Sequence, residues 1–162
     1  MIEASLLISR LKNKNLTLCC AESLTGGLFG GAITSVNGSS AVFKGGIISY
    51  TNEIKNKVLN VPIEELNTFG AVSKEVCISM AKGVKSIFNT DIAVSVTGLA
   101  GPTLDEKGNP VGTVFMCIYF KNNIVCKKIK FYGNRKSIRE QVVKSLLKKL
   151  NEIVDNMDID RL

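Results

Sequence analysis

Apolar residues recur at two different periods along the chain, and the switches between them predict alternating helices and strands. Ile2, Leu6, Leu7 and Leu11 approximate one helical face over residues 2–14. Residues 16–20 form a short apolar strand, followed by Ala21-Glu22-Ser23-Leu24-Thr25-Gly26-Gly27. Leu28, Ala32 and Ile33 then predict a second helix that runs out near Asn37-Gly38. A strand is expected over residues 43–51, with Asn52 capping a helix that continues through Leu59. Pro62 begins a short turn or helix, and Gly70 precedes Ser73, the cap of a helix carrying Val76, Met80, Val84, Ile87 and Phe88 at helical spacing. Strand-like runs follow at residues 91–97, 112–120 and 124–131, the last two joined by Lys121-Asn122-Asn123, a hairpin-length link. A final helix begins around Asn134 and carries Ile138, Val142, Leu146, Leu150 and Ile153 on one face. Helices interleaved with strands, plus one hairpin, predict an α/β fold: a single three-layer α/β/α domain with a mixed, mostly parallel β-sheet. The length of 162 residues suits one domain, and no repeat, low-complexity tract or linker divides it.

Composition narrows the chemistry. The absence of histidine removes Ser-His-Asp and Cys-His catalysis, HExxH zinc sites and histidine pH switches. The net charge of +7 is unevenly placed: residues 1–120 hold 10 basic and 9 acidic side chains, residues 121–162 hold 11 and 5. Much of that basic quarter is the predicted last helix, whose lysines read as a solvated face, so nucleic-acid binding is the weaker reading. The five cysteines, Cys19, Cys20, Cys77, Cys117 and Cys126, lack CxxC spacing and read as buried structural thiols of a reducing compartment. No structural metal is expected. Met1-Ile2-Glu3 lacks the basic start of a signal peptide, and no run approaches 18 uninterrupted apolar residues. A cytoplasmic protein with no membrane association is the expectation.

Four segments offer places for chemistry. At the strand–helix junction, Ser23 is either a nucleophile served by the unpaired N–H groups of the helix start, or Ser23 or Thr25 simply caps the helix while Gly26 and Gly27 permit a tight turn. Around Gly45, Tyr50, Asn52 and Lys55, a lysine made less basic by burial can take a serine proton, with the tyrosine hydroxyl relaying it. The alternative is an amphipathic strand residue beside a solvated lysine. Thr97-Gly98-Leu99-Ala100-Gly101-Pro102 follows a strand and allows close backbone approach to a ligand, although it is neither a Walker A nor a Rossmann sequence. Arg135 and Arg139 share a face at a helix start, where they either fork a phosphate or form a surface pair. Glu22 is the only acid inside a candidate loop, and Asp105-Glu106 lack partners at metal-like spacing.

Taken in order, these segments resemble the C-terminal domain family of competence/damage-inducible protein CinA, whose stand-alone members are nicotinamide-nucleotide amidohydrolases. The resemblance rests on Ala21 through Gly27, on Gly38-Ser39-Ser40 with Phe43 and Gly45-Gly46, and on Tyr50-Thr51-Asn52-Glu53-Ile54-Lys55. It continues in Phe69 through Ser73, Thr97 through Pro102, Pro110 through Val114, and Gly133-Asn134-Arg135 through Arg139. It implies hydrolysis of the carboxamide of nicotinamide mononucleotide to nicotinic acid mononucleotide and ammonia, with no cofactor or metal. It carries a serine–tyrosine–lysine arrangement onto Ser23, Tyr50 and Lys55, which suits a chain without histidine. Ser23 would attack, Lys55 assisted by Tyr50 would accept the proton, and N–H groups near Thr25–Gly27 would hold the oxyanion. Gly45, Asn52, the glycine loop with Thr97, Gly98 and Gly101, and Arg135 and Arg139 are the candidate substrate-binding positions. Two departures stand out: Leu24 where many members have cysteine, and Asn134 where aspartate is common. The chain starts at the amidase-like domain, so the pyrophosphatase-like activity of fused members is expected to be absent. A homodimer is the expected assembly, and a non-catalytic nucleotide- or partner-binding module is the alternative reading.

Overall fold

The structure is a computed structural model that describes residues 2–157. Among these residues six α-helices and five strands run in the order α1 (Ile2–Asn13), β1 (Leu18–Glu22), α2 (Leu28–Thr34), β2 (Phe43–Ile48), α3 (Asn52–Leu59), α4 (Ile63–Phe69), α5 (Lys74–Phe88), β3 (Ile92–Gly98), β4 (Thr113–Phe120), β5 (Asn123–Lys130) and α6 (Arg135–Asn156), with a 3-10 turn at Ser39–Ala41 before β2. The strands form one sheet in the order β2-β1-β3-β4-β5. β1 pairs in parallel with β2 and β3, whereas β3–β4 and β4–β5 are antiparallel. Parallel pairing is thus confined to one half of the sheet. That half gathers the carboxyl ends of β1, β2 and β3 at one edge, where open α/β sheets place ligands.

Side-chain alternation along β1 divides the core. Leu18 and Cys20 join the cluster built with Leu7, Leu11, Phe29 and the buried face of α6, while Cys19 and Ala21 join Leu59, Val76, Met80 and Val84 on the other side. The result is three layers, with α1, α2 and α6 on one face and α3, α4 and α5 on the other. Each fully buried leucine contributes roughly 2 kcal/mol to this arrangement. Small residues Cys19, Ala21 and Ala93 line the face under α5, so that helix sits close to the sheet.

Several local expectations shift. The buried face of α1 is Ala4, Leu7, Ile8 and Leu11, while Ile2 and Leu6 are exposed. β1 begins two residues later than the apolar run, because Thr17 and Asp91 occupy one another before the ladder starts. The Thr17 N–H and hydroxyl donate to Asp91 Oδ2 at 2.8 and 2.7 Å. β2 stops at Ile48, and Thr51, not Asn52, caps α3 by accepting from the Ile54 N–H at 3.3 Å. Ser73 and Asn134 are the caps of α5 and α6 as the sequence predicts. Ile87 lies exposed on α5, outside the core stripe. All five cysteines are free thiols; four are buried, but Cys126 on the edge strand is half-buried. Burial pushes the Cys19, Cys20 and Cys77 thiols up, which makes them poor nucleophiles. Among the described residues, no helix is long and apolar enough to cross a membrane.

Candidate active site

Two hydrogen bonds tie the loop ends of the parallel half together. The Ser23 N–H donates to the Val96 carbonyl on β3 at 3.1 Å, and the Ser49 N–H donates to the Glu22 carbonyl at 2.8 Å, extending the β1–β2 pairing past the last strand residue. Ser49 is fully buried, so the backbone that leads into α3 lies directly against the residue before Ser23. The Thr51 cap then starts α3, and Lys55 falls one turn in, pointing back at that junction. Its Nζ donates to Ser23 Oγ at 3.0 Å and to the carbonyls of Ser49 and Tyr50 at 2.6 and 3.5 Å.

Lys55 is 1% exposed, which is unusual for lysine. Desolvation disfavours its charged form and lowers its pKa from 10.5 to about 8. At that value roughly a tenth of the amine is neutral at pH 7. A buried amine of this kind, in contact with a hydroxyl, can remove the hydroxyl proton without histidine.

Glu22, beside Ser23, is a buried carboxylate that carries more of the site than its sequence position suggested. Its two oxygens accept from the N–H groups of Gly27, Phe29 and Gly30 at 3.1, 3.1 and 2.8 Å. The carboxylate therefore caps α2 from the end of β1, where the helix dipole favours a negative charge. This corrects the expectation that the Gly27 amide serves an oxyanion, since that donor is already engaged. The Gly26 N–H is engaged too, closing a turn onto the Ser23 carbonyl at 3.0 Å. Gly26 and Gly27 both hold positive φ, at 54° and 98°, so the turn that follows the buried Ser23 depends on glycine. Among the described residues, the N–H groups of Leu24 and Thr25 have no acceptor, and the buried Thr25 Oγ1 has no partner. These two amides directly follow Ser23 and are the donors left for developing negative charge.

The remaining sequence candidates divide. The Tyr50 side chain is exposed, and its hydroxyl accepts from Arg135 Nη2 at 2.8 Å; only its backbone carbonyl meets Lys55. A direct relay from the Tyr50 hydroxyl to the lysine is therefore absent from this geometry. Arg135 also donates through Nη1 to the Gly101 carbonyl at 2.9 Å, so it links the β2 and β3 loops. Arg139 does not project freely as a phosphate fork: its Nε and Nη2 donate to the carbonyls of Leu24 and Thr25 at 2.8 and 3.0 Å.

Gly45 is corrected outright. It lies mid-strand opposite Cys19, and a Cβ there would come within 2.7 Å of the Phe88 ring, so glycine is needed for packing under α5. Gly98 closes β3 opposite Val114, where a Cβ would meet the Thr113 carbonyl at 2.6 Å. Thr97 is buried and donates its hydroxyl to the Ala71 carbonyl at 2.8 Å. Asn52 borders a cleft of about 270 Å³ between residues 70–72 and 105–107, which opens beside α3. Among the described residues, no three Cys, Asp or Glu side chains gather as a metal-holding group.

The motifs and the fold both have relatives. Residues 3–154 match the family model described as the CinA C-terminal domain. Proteins named as competence-damage inducible proteins from Bacillus cereus (strain B4264) and Bacillus mycoides (strain KBAB4) are 49% and 48% identical over 151 residues, which is 90% of this chain. That match covers 36% of each of those proteins, so the chain spans about a third of their length. The crystal structure of a CinA superfamily protein from Klebsiella pneumoniae 700603 superposes with a TM-score of 0.93 at 28% identity, covering 96% of this chain and 97% of that one. The competence/damage inducible protein CihA from Agrobacterium tumefaciens gives 0.89 at 37% identity, covering 95% and 94%. Sequence and fold agree over nearly the whole length, and this chain belongs to the CinA C-terminal domain family.

Proposed function

We propose that the chain is a serine amidohydrolase acting on the carboxamide of nicotinamide mononucleotide. The observation that carries the reading is the buried contact of Lys55 Nζ with Ser23 Oγ, beside two amides with no acceptor. In the first half-reaction Ser23 Oγ bonds to the carboxamide carbon, and its proton passes to neutral Lys55. The carbonyl oxygen takes the negative charge, for which the Leu24 and Thr25 N–H groups are the donors in this reading. As the carbon–nitrogen bond breaks, Lys55 returns the proton to the leaving nitrogen and ammonia departs. Water then attacks the acyl-serine while Lys55 accepts its proton and delivers it to Ser23. The products are nicotinic acid mononucleotide and ammonia.

The choice of nucleotide follows the resemblance of the ordered motifs, and the chemistry of the loop rim is compatible with it. Arg135 offers a cation and Tyr50 an exposed aromatic ring at the same edge. The Asn52 cleft supplies adjoining space. The proposed setting is a cytoplasmic small-molecule enzyme, as a homodimer. Ammonia release from nicotinamide mononucleotide, measured for the parent chain and for Ser23→Ala, tests the reading. Turnover by the parent alone supports it. Equal rates remove Ser23 from the mechanism, and no turnover by the parent with the nucleotide still bound points to a binding module.

A further inference from the structure

Arg139 sits on α6, remote in sequence from the Ser23 loop, yet both of its bonds end on that loop. Each bonded carbonyl belongs to a peptide unit whose own N–H faces onward. The Leu24 carbonyl, which accepts from Arg139 Nε at 2.8 Å, shares its peptide plane with the Thr25 N–H. The Thr25 carbonyl, which accepts from Arg139 Nη2 at 3.0 Å, shares its plane with the Gly26 N–H. That Gly26 N–H donates to the Ser23 carbonyl at 3.0 Å, whose peptide plane contains the Leu24 N–H. Two hydrogen-bonded chains therefore start at one guanidinium and end on the two amides that have no acceptor.

We infer that Arg139 is a positioning residue that orients and polarises the Leu24 and Thr25 N–H groups as the oxyanion-binding donors next to Ser23. The inference rests on the amidohydrolase reading and replaces a phosphate-binding role for this arginine. A cation on a peptide oxygen draws charge from that peptide and makes its N–H a stronger donor, and linked bonds reinforce one another. The forked guanidinium suits two neighbouring carbonyls, whereas a lysine reaches them as a single point charge. Gly26 leaves the space this requires: a Cβ there would stand 3.2 Å from Arg139 Nη2. Because oxyanion donors act on the transition state more than on the bound substrate, Arg139 affects kcat and not KM.

The test is steady-state ammonia release by the full chain, Arg139→Gln and Arg139→Lys, with nicotinamide mononucleotide and with its phosphate-free riboside. Alongside it, the rate of Ser23 acylation by a p-nitrophenyl ester is read from nitrophenolate release and the mass of the serine peptide. The expected result is a roughly 10- to 100-fold lower kcat for Arg139→Gln with KM within about threefold, the same loss on both amides, and an intermediate value for Arg139→Lys. Acylation should fall in parallel. A raised KM confined to the phosphorylated substrate would make Arg139 a phosphate ligand and overturn the inference. Unchanged kcat and acylation would overturn it as well. If the parent releases no ammonia but its acylation still depends on Arg139, the amide reading fails while the role of Arg139 stands. Arg139→Lys retains the cation and carries the comparison if Arg139→Gln does not fold.

Discussion

Lys55 Nζ lies 3.0 Å from Ser23 Oγ while the Ser49 carbonyl accepts a second bond from it at 2.6 Å, so one buried amine joins the nucleophile loop to the start of α3. The carbonyls hold the ammonium in place, and desolvation opposes its charge. Desolvation prevails, leaving the pKa at about 8. Only the neutral amine can act as a base. The rate constant kcat/KM should therefore rise about tenfold per pH unit below pH 8 and level off above it. A profile of ammonia release from pH 6 to 9.5 checks this, and a profile flat across that range would exclude Lys55 as the base.

The same depressed pKa predicts a stability effect. The unfolded chain carries lysine near 10.5 and the folded chain near 8, so between these values the unfolded state binds more protons and stability rises with pH. Below pH 8 the full penalty remains, on the order of 3 kcal/mol before the lost hydrogen bonds of a variant are counted. Lys55→Met should abolish turnover, and at pH 7 its stability sets the removed desolvation penalty against the lost bonds to Ser23, Ser49 and Tyr50. Its melting temperature should also lack the pH-dependent rise seen in the parent above pH 8. Thermal unfolding of both proteins across pH 7–10 measures the difference, and a Lys55→Met variant that keeps the parent's rise above pH 8 would contradict the desolvation account.

Sequence periodicity was enough to locate the layers, because helical and strand spacing repeat over whole elements such as α5 and α6. Strand β1 and the α3 cap were displaced by local side-chain bonds at Asp91 and Thr51 that periodicity does not encode. The spacing of Ser23 and Lys55 left a helix cap and a solvated lysine open, and the family resemblance paired them; the structure brings the two to one sheet edge, 3.0 Å apart. Glu22 was not legible. It stood out only as the one acid in a candidate loop, and the fold alone shows it meeting three N–H groups at the start of α2. Arg139 misled for the opposite reason: its spacing from Arg135 suggested a shared ligand, but the carbonyls it serves lie more than a hundred residues earlier.

Glu22 can be tested directly. A glutamine side chain keeps its shape but offers one carbonyl oxygen, so it cannot accept from Gly27, Phe29 and Gly30 together, and its amide opposes a backbone donor. Glu22→Gln should lower stability by about 1–3 kcal/mol, the scale of an unsatisfied buried donor. A shift of the urea unfolding midpoint with an unchanged slope reads this out. No shift would mean that the α2 cap contributes nothing net.

Tyr50 and Arg135 should act as a unit. The Tyr50 hydroxyl accepts from Arg135 Nη2 at 2.8 Å while Nη1 holds the Gly101 carbonyl at 2.9 Å, and nothing in this arrangement connects the hydroxyl to Lys55 Nζ. Removing either partner frees the other, so the losses in kcat/KM for Tyr50→Phe and Arg135→Ala should not multiply. The double variant is expected to match the worse single variant within about threefold, a coupling on the order of 1 kcal/mol. Independent, multiplying losses would mean that the Tyr50–Arg135 bond is not how the two residues contribute.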